Sequence, residues 1–264
     1  MPPVNVIELD TVAFGRWAQR ARLVLPVPLN TGYAARVTLD WDELLAVSEE
    51  RLQVDNLARE VNRATSDLAS DTHELLAYAE SILRHPQTAV YAARATVDGE
   101  SVLAVGLSVG SDGLVVLDTA TTVTIRKTSS SELAATVVGM LPAVRELRME
   151  RLVVDERALP ILRSGATARG LDRAAYNAVT AAGLGADAVL TLAKVQESLT
   201  ARGMVGALRY GDAEPTVSAQ TSEWFESTGG AVLRRRAAAG SVVFESATTG
   251  SLTSAAIAAM AGAR

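Results

Sequence analysis

The chain has 264 residues and 48% hydrophobic content, enough for a sizeable buried core and too apolar for a wholly disordered protein. A formal net charge of −5 lacks the basic footprint of a general nucleic-acid binder. The absence of cysteine excludes disulfides, thiolate metal sites and cysteine nucleophiles.

The N-terminus, MPPVNVIELD, has no cationic lead into an apolar run, so it does not read as a secretory signal. No stretch reaches the roughly 18 apolar residues of a spanning helix. The expectation is a cytoplasmic protein with no membrane insertion and no nucleic-acid partner.

Val4 to Leu9 alternates apolar and polar residues and predicts a short strand. Asp10 then caps a helix with Phe14, Trp17, Ala18 and Ala21 on one face, ended by Pro26 and Pro28. Asp40 with Glu43 reads as a variant capping box before a stripe of Trp41, Leu44 and Leu45. Further helical stripes are Leu57, Val61, Ala64, Leu68 and then Leu75, Ala79, Ile82, Leu83.

The period changes at His85-Pro86. Tyr91 to Val97 alternates into Asp98-Gly99, a hairpin signal, and Leu103 to Val109 alternates on the return strand. Gly110 to Gly113 turns again, and Leu114 to Asp118 and Thr122 to Arg126 supply two more strands. Ser129 with Glu132 reads as a second capping box, opening a helix that ends near Leu141-Pro142.

The second half repeats the order. Leu152 to Asp155 is a short strand, with helices within Glu156 to Arg163 and Leu171 to Ala182. A stronger helix carries Ala188, Leu192, Val195 and Leu199 and ends at Gly203. Strands are predicted at Met204 to Tyr210, Val217 to Phe225, Ala231 to Arg236 and Val242 to Glu245, before a closing helix on Leu252, Ala256, Ala259 and Met260. The fold class expected is α+β, with two similar subdomains, residues 1–142 and 143–264, each a mainly antiparallel sheet with helices, related by a pseudo-two-fold.

Catalytic constellations are missing from this pattern. His73 and His85 have no ligand spacing around them, and no GxSxG elbow surrounds any serine. The neighbouring pairs Glu49-Glu50 and Asp155-Glu156 do not face each other on a helix. Arg163 to Gly170 and the helix start at Gly183 are the best anion-binding candidates, but neither follows a strand as a phosphate loop would. No cofactor or metal is expected.

The densest stretch is SEWFESTGGAVLRRR, Ser222 to Arg236. On an unbroken strand Phe225 joins the apolar face with Val217 and Ala219, and Trp224 sits among Ser218, Gln220, Ser222 and Glu226. Trp224 then either packs beneath the terminal helix or serves as an exposed anchor for another protein. Packing is the simpler account. The run Arg234-Arg235-Arg236 reads most simply as a solvated edge strand, with at least one arginine meeting a helix or partner.

Three stretches together resemble the EspG family of type VII (ESX) secretion chaperones. VIELDTVAFGRWA is a strand running into an aromatic-bearing helix. LLAYAESILRHPQTAVYAARATVDGESVLAVGLSVGSDGLVVL through SSSELAATVVGMLP is helix, hairpins and a helix closing on Leu-Pro. SEWFESTGGAVLRRR followed by GSVVFESATTGSLTSAAIAAM is similar to the family's closing pattern, with Glu226 where aspartate is common. The helical region from Glu49 to Thr72 is longer than usual, and the Asp98-Gly99-Glu100 hairpin is short.

The resemblance implies a non-enzymatic cytosolic chaperone that binds the tip of a helical PE/PPE-like secreted protein and keeps it soluble for export. It implies use of the central sheet, an early hairpin and a helical segment of the second half. A homodimer in the absence of cargo is a further expectation. The candidate partner-binding residues are Asp98, Gly99, Glu100, Trp224, Arg234 and Arg236. The alternatives are a non-enzymatic scaffold with the same fold, or an anion-binding domain working through Arg163 to Gly170 or the Gly183 helix start.

Overall fold

The computed structural model describes residues 5–26, 29, 70–119, 121–211, 215–237 and 240–263. The predicted capping box at Asp40 and the stripes from Trp41 to Leu68 lie outside them. The first strand, β1 (Val6–Asp10), runs directly into α1 (Thr11–Arg20). Asp10 caps that helix by accepting a hydrogen bond from the Ala13 amide at 2.7 Å, which satisfies one of the orphan donors of the first turn. Phe14 and Ala18 form its buried face. The next described helix, α2 (Ser70–Arg84), buries the predicted stripe Leu75, Ala79, Ile82 and Leu83.

Four antiparallel strands follow: β2 (Thr88–Thr96), β3 (Ser101–Val109), β4 (Asp112–Thr119) and β5 (Thr122–Ser129). The Asp98-Gly99 signal makes the expected turn, with Gly99 at φ +91°. Helix α3 (Leu133–Gly139) closes this half just before Leu141-Pro142. Its start is one turn shorter than a capping box at Ser129 predicts, because Ser129 is still the last residue of β5.

In the second half β6 (Leu152–Asp155) leads through a short 3-10 turn into α4 (Leu159–Gly165). A two-residue hairpin, β7 (Ala166–Thr167) with β8 (Gly170–Leu171), connects to α5 (Arg173–Ala181) and α6 (Ala186–Glu197). Then come β9 (Leu199–Arg209), β10 (Thr216–Val217), β11 (Ser222–Ser227), β12 (Gly230–Arg236) and β13 (Ser241–Ser246). Helix α7 (Thr249–Gly262) ends the chain, opened by a Thr248–Ser251 capping box.

One large sheet contains all these strands except β7 and β8, in the order β1-β5-β4-β3-β2-β9-β11-β12-β13-β6, with β10 paired to β9 at the side. Read outward from the central β2–β9 pair, both halves have the same plan. A four-strand antiparallel run ends on the short strand that began that half. The pattern repeat in the sequence is thus a repeat in connectivity, with a pseudo-two-fold passing between β2 and β9. The halves join edge to edge, so one sheet spans both.

Cross-strand partners share a face, which orders the layers. The row Ala93, Met204, Glu223, Arg234, Phe244 and Leu152 runs across six strands on one side. In the first half α1 and α2 cover that side, over a core of Tyr91, Leu103, Val105, Leu107, Leu114, Val116 and Ile125. In the second half α4, α5 and α6 cover it, with Leu152, Val154, Leu162, Val179 and Val189 between. The opposite side of the sheet centre lies under α3 and α7, around Val90, Val115, Leu133, Val205, Trp224, Leu233 and Leu252.

Several second-half expectations need correction. Gly203 does not end a helix: α6 stops at Glu197, and Gly203 lies inside β9 because the chain there pairs on both sides, with Arg94 and with Trp224. A Cβ at Gly203 would overlap the Trp224 ring, so glycine is what lets the indole lie flat on the strand. The strand predicted from Val217 to Phe225 is broken at Ser218–Thr221, where Ser218 accepts hydrogen bonds from Gln220 and Thr221. Finally, β12 is interior, between β11 and β13, and not an edge. Its arginines are tolerated there through the ion pairs Arg234–Glu223, Arg235–Glu245 and Arg236–Glu156.

A candidate partner-binding groove

Where α4 and α6 cross the second half of the sheet, they leave an open groove of about 1120 Å³. Its floor is built from two adjacent cross-strand rows. One carries Met204, Glu223, Arg234 and Phe244; the other carries Arg202, Phe225 and Val232. The helical wall supplies Leu159 and Leu162 from α4 and Val189 and Leu192 from α6, and Leu199 begins β9 at one end. Met204, Phe225, Phe244, Leu192 and Leu199 are each only half-buried. Large apolar side chains left partly in water along a groove mark a binding surface more often than an ordinary core.

The sequence-derived candidates separate on this frame. Arg234 lines the groove and pairs with Glu223 at 3.0 Å. Arg236 lies on the same side of the sheet but farther out, exposed, 3.5 Å from Glu156. Asp98, Gly99 and Glu100 form the exposed tip of the β2–β3 hairpin. That hairpin is tied to the start of β9, where the Val97 amide donates to the Thr200 carbonyl at 2.9 Å, one residue from Leu199 at the groove end. Of the six candidates, Arg234 alone lines the groove, Arg236 shares its side of the sheet, and Asp98, Gly99 and Glu100 stand at a hairpin tip whose base is bonded to the strand beginning at the groove end.

Trp224 stands apart. It is fully buried on the opposite side of the sheet, in the core with Leu252, Ala255 and Ala256 of α7, so it packs beneath the terminal helix and presents no anchor to a partner. Its polar neighbours are explained by one carboxylate. Glu226 accepts a hydrogen bond from the Trp224 indole N–H at 2.9 Å and a bidentate pair from Arg94 at 2.8 and 2.9 Å. Burial works against the charge on Glu226, but the hydrogen bonds from Arg94 and Trp224, together with the Arg94 charge, hold its carboxyl below the usual range. Because Arg94 is on β2 and Glu226 on β11, this cluster fastens the two halves across β9.

Sequence reasoning missed Phe225, Phe244, Met204 and Arg202. The Trp224–Phe225 pair does straddle the sheet as expected, and the simpler account of Trp224 holds: the indole is enclosed beneath α7, while the Phe225 ring, expected on the apolar face, is half open to the groove. Which side of a strand the helices seal is decided far away in sequence. The anion candidates fare differently again. Arg163 to Gly170 spans the last turn of α4 and the β7–β8 hairpin, and Arg163 lines the groove. Gly183 follows α5 at φ +64°, a helix-end position, while α6 opens on Gly185 with no side-chain cap. Among the described residues, no group of three or more histidine and acidic side chains is placed to hold a metal.

The family model described as EspG family matches residues 34–258, most of the chain. The chain belongs to the EspG family. Among solved structures, the Mycobacterium tuberculosis type VII secretion system chaperone EspG5, in complex with a PE25-PPE41 dimer, superposes with a TM-score of 0.66. At 14% sequence identity, the match covers 97% of this chain and 96% of that one, so the fold is shared end to end. No curated protein matches. Among the described residues, no helix of this EspG-family chain is long and apolar enough to cross a membrane.

Proposed function

We propose that this chain is a cytoplasmic, non-enzymatic chaperone that receives the tip of a PE/PPE-like helical protein in the groove and holds it for type VII export. The observation that carries this is the groove itself, floored by half-exposed Met204, Phe225 and Phe244 in a member of the EspG family. An exposed apolar helical tip promotes self-association of the protein that bears it. Covering that tip with a complementary apolar groove lowers the concentration of the sticky state by mass action, and no chemical step is required. Desolvation of a few central rings supplies most of the binding, and the rim sets orientation. The Asp98–Glu100 hairpin belongs to that rim.

The test is co-expression of the chain with PE–PPE pairs from the same genome, with complex mass read by light scattering. A stable complex holding one copy of each protein is expected for at least one pair, and Leu192→Lys, which puts a charge on the groove wall, is expected to abolish it while leaving the melting temperature within about 2 °C. If no pair binds, or if the Leu192→Lys variant binds equally well, the proposal fails. Stable self-assembly of the chain alone, with no such complex, favours the scaffold alternative.

A further inference from the structure

We infer that the groove selects a partner tip that carries a carboxylate beside its apolar anchors, and that Arg163 and Arg202 are the residues that read it. This rests on the docking proposal above. The groove is lined by three arginines and one glutamate, a local excess of positive charge on a chain whose net charge is −5. Arg234 and Glu223 satisfy each other as cross-strand neighbours. Arg163 and Arg202 have no acidic partner among the described residues. The nearby hairpin acids do not change this: Asp98 and Glu100 form no ion pair with either arginine, and Glu100 acts electrostatically on Arg94 instead.

The two cations come from different elements of the groove, one from its helical wall and one from its floor. Arg163 is in the last turn of α4, and Arg202 rises from the β9 floor beside Phe225. The Arg202 guanidinium lies over the Phe225 ring, 6.0 Å from its centroid. A cation held at this distance over a ring is drawn to its face and keeps its N–H donors for a planar acceptor such as a carboxylate. Both side chains are exposed in the free chain, where water satisfies them.

Docking changes that balance. A tip made only of apolar side chains would strip water from two unpaired guanidiniums and give nothing back, and a basic tip would add repulsion. A tip with an aspartate or glutamate at the same place replaces the lost water with charge-assisted hydrogen bonds. The apolar floor therefore supplies affinity, and the arginines exclude tips of the wrong charge.

The experiment displays a library of two-helix hairpins with randomised tip residues and sorts it against the native chain and against an Arg163→Glu/Arg202→Glu double variant of matching melting temperature. The native chain is expected to enrich Asp or Glu next to Leu or Phe, and the double variant to enrich Lys or Arg at that position. An acidic tip recovered on the native chain should bind the double variant roughly tenfold or more weakly, with the difference shrinking as salt is raised. Equal recovery of uncharged apolar tips by both proteins overturns this inference and leaves the docking proposal intact. Tips that bind the Leu192→Lys variant undiminished lie outside the groove, and they overturn both. A library that yields no binder to the native chain also counts against both.

Discussion

The two halves of the sheet have the same strand plan but opposite uses of the same face. In the first half, α1 and α2 seal it: Tyr91, Leu103, Val105, Leu107, Leu114, Val116 and Ile125 are all removed from water. In the second half α4 and α6 leave a groove over it, and Met204, Phe225 and Phe244 remain half-open with Arg202, Glu223 and Arg234 among them. A pseudo-two-fold fold can thus assign stability to one copy of a motif and recognition to the other. The difference does not lie in the strands, which pair alike, but in which side chains floor each half and how far the covering helices leave them in water.

The largest effect separating the halves should come from the sealed one. Leu107 is fully buried at the centre of the first-half core, so Leu107→Ala removes its packing and leaves a cavity that close-packed neighbours cannot fill. The expected loss is about 3 kcal/mol, read as a melting temperature lower by roughly 8 °C. A change within about 1 kcal/mol would mean that this half is not the rigid one, and the contrast would collapse.

A smaller effect of opposite sign is expected at Asp118, on the same side of β4 as Leu114 and Val116. One of its carboxylate oxygens is buried without a hydrogen-bond partner, and burial pushes its pKa up to about 6 from 3.8. The folded chain therefore binds a proton more tightly than the unfolded chain does. Stability from this group is full below about pH 4 and is lost as pH rises through about 6. Asp118→Asn should then stabilise the protein at pH 7 by about 2 kcal/mol, with the gain vanishing near pH 4. Thermal melts of both proteins between pH 4 and 8 check this; parallel curves would show that the carboxyl does not titrate in that window.

Much of this architecture was legible along the chain, because its local signals agree with its long-range pairing. The Asp10 cap, the stripe from Leu75 to Leu83 and the Asp98-Gly99 turn each act over a few residues, and each appears where expected. The order of elements within each half was legible for the same reason. What failed was non-local. Gly203 ends helices in general, yet here it serves a ring that arrives from another strand. The Arg234–Arg236 run looks like an exposed edge until β13 and β6 pair beyond it. The groove draws on residues from Val154 to Phe244, and no local pattern gathers them. In the Trp224–Phe225 pair the opposition of the rings was legible, and packing of the indole beneath the terminal helix was the simpler reading; that Phe225 is left half-open depends on helices far away in sequence.

That pair yields the smallest stability effect and the sharpest contrast. Phe225 sits one residue from a fully buried tryptophan, yet its own ring is half-exposed on the groove floor, with the Arg202 guanidinium 6.0 Å from its centroid. Truncating it removes surface that water already reaches, so Phe225→Ala should lower stability by no more than about 1 kcal/mol. The same ring lies on the groove floor, where a bound tip would desolvate it, and an aromatic anchor lost from an interface weakens binding by about 2 kcal/mol or more, near thirtyfold. Melting temperature and partner affinity measured on one variant therefore separate the two uses of the sheet face. If Phe225→Ala melts far below the native protein and binds its partner unchanged, the second half is another sealed core, and the division of labour between the halves is wrong.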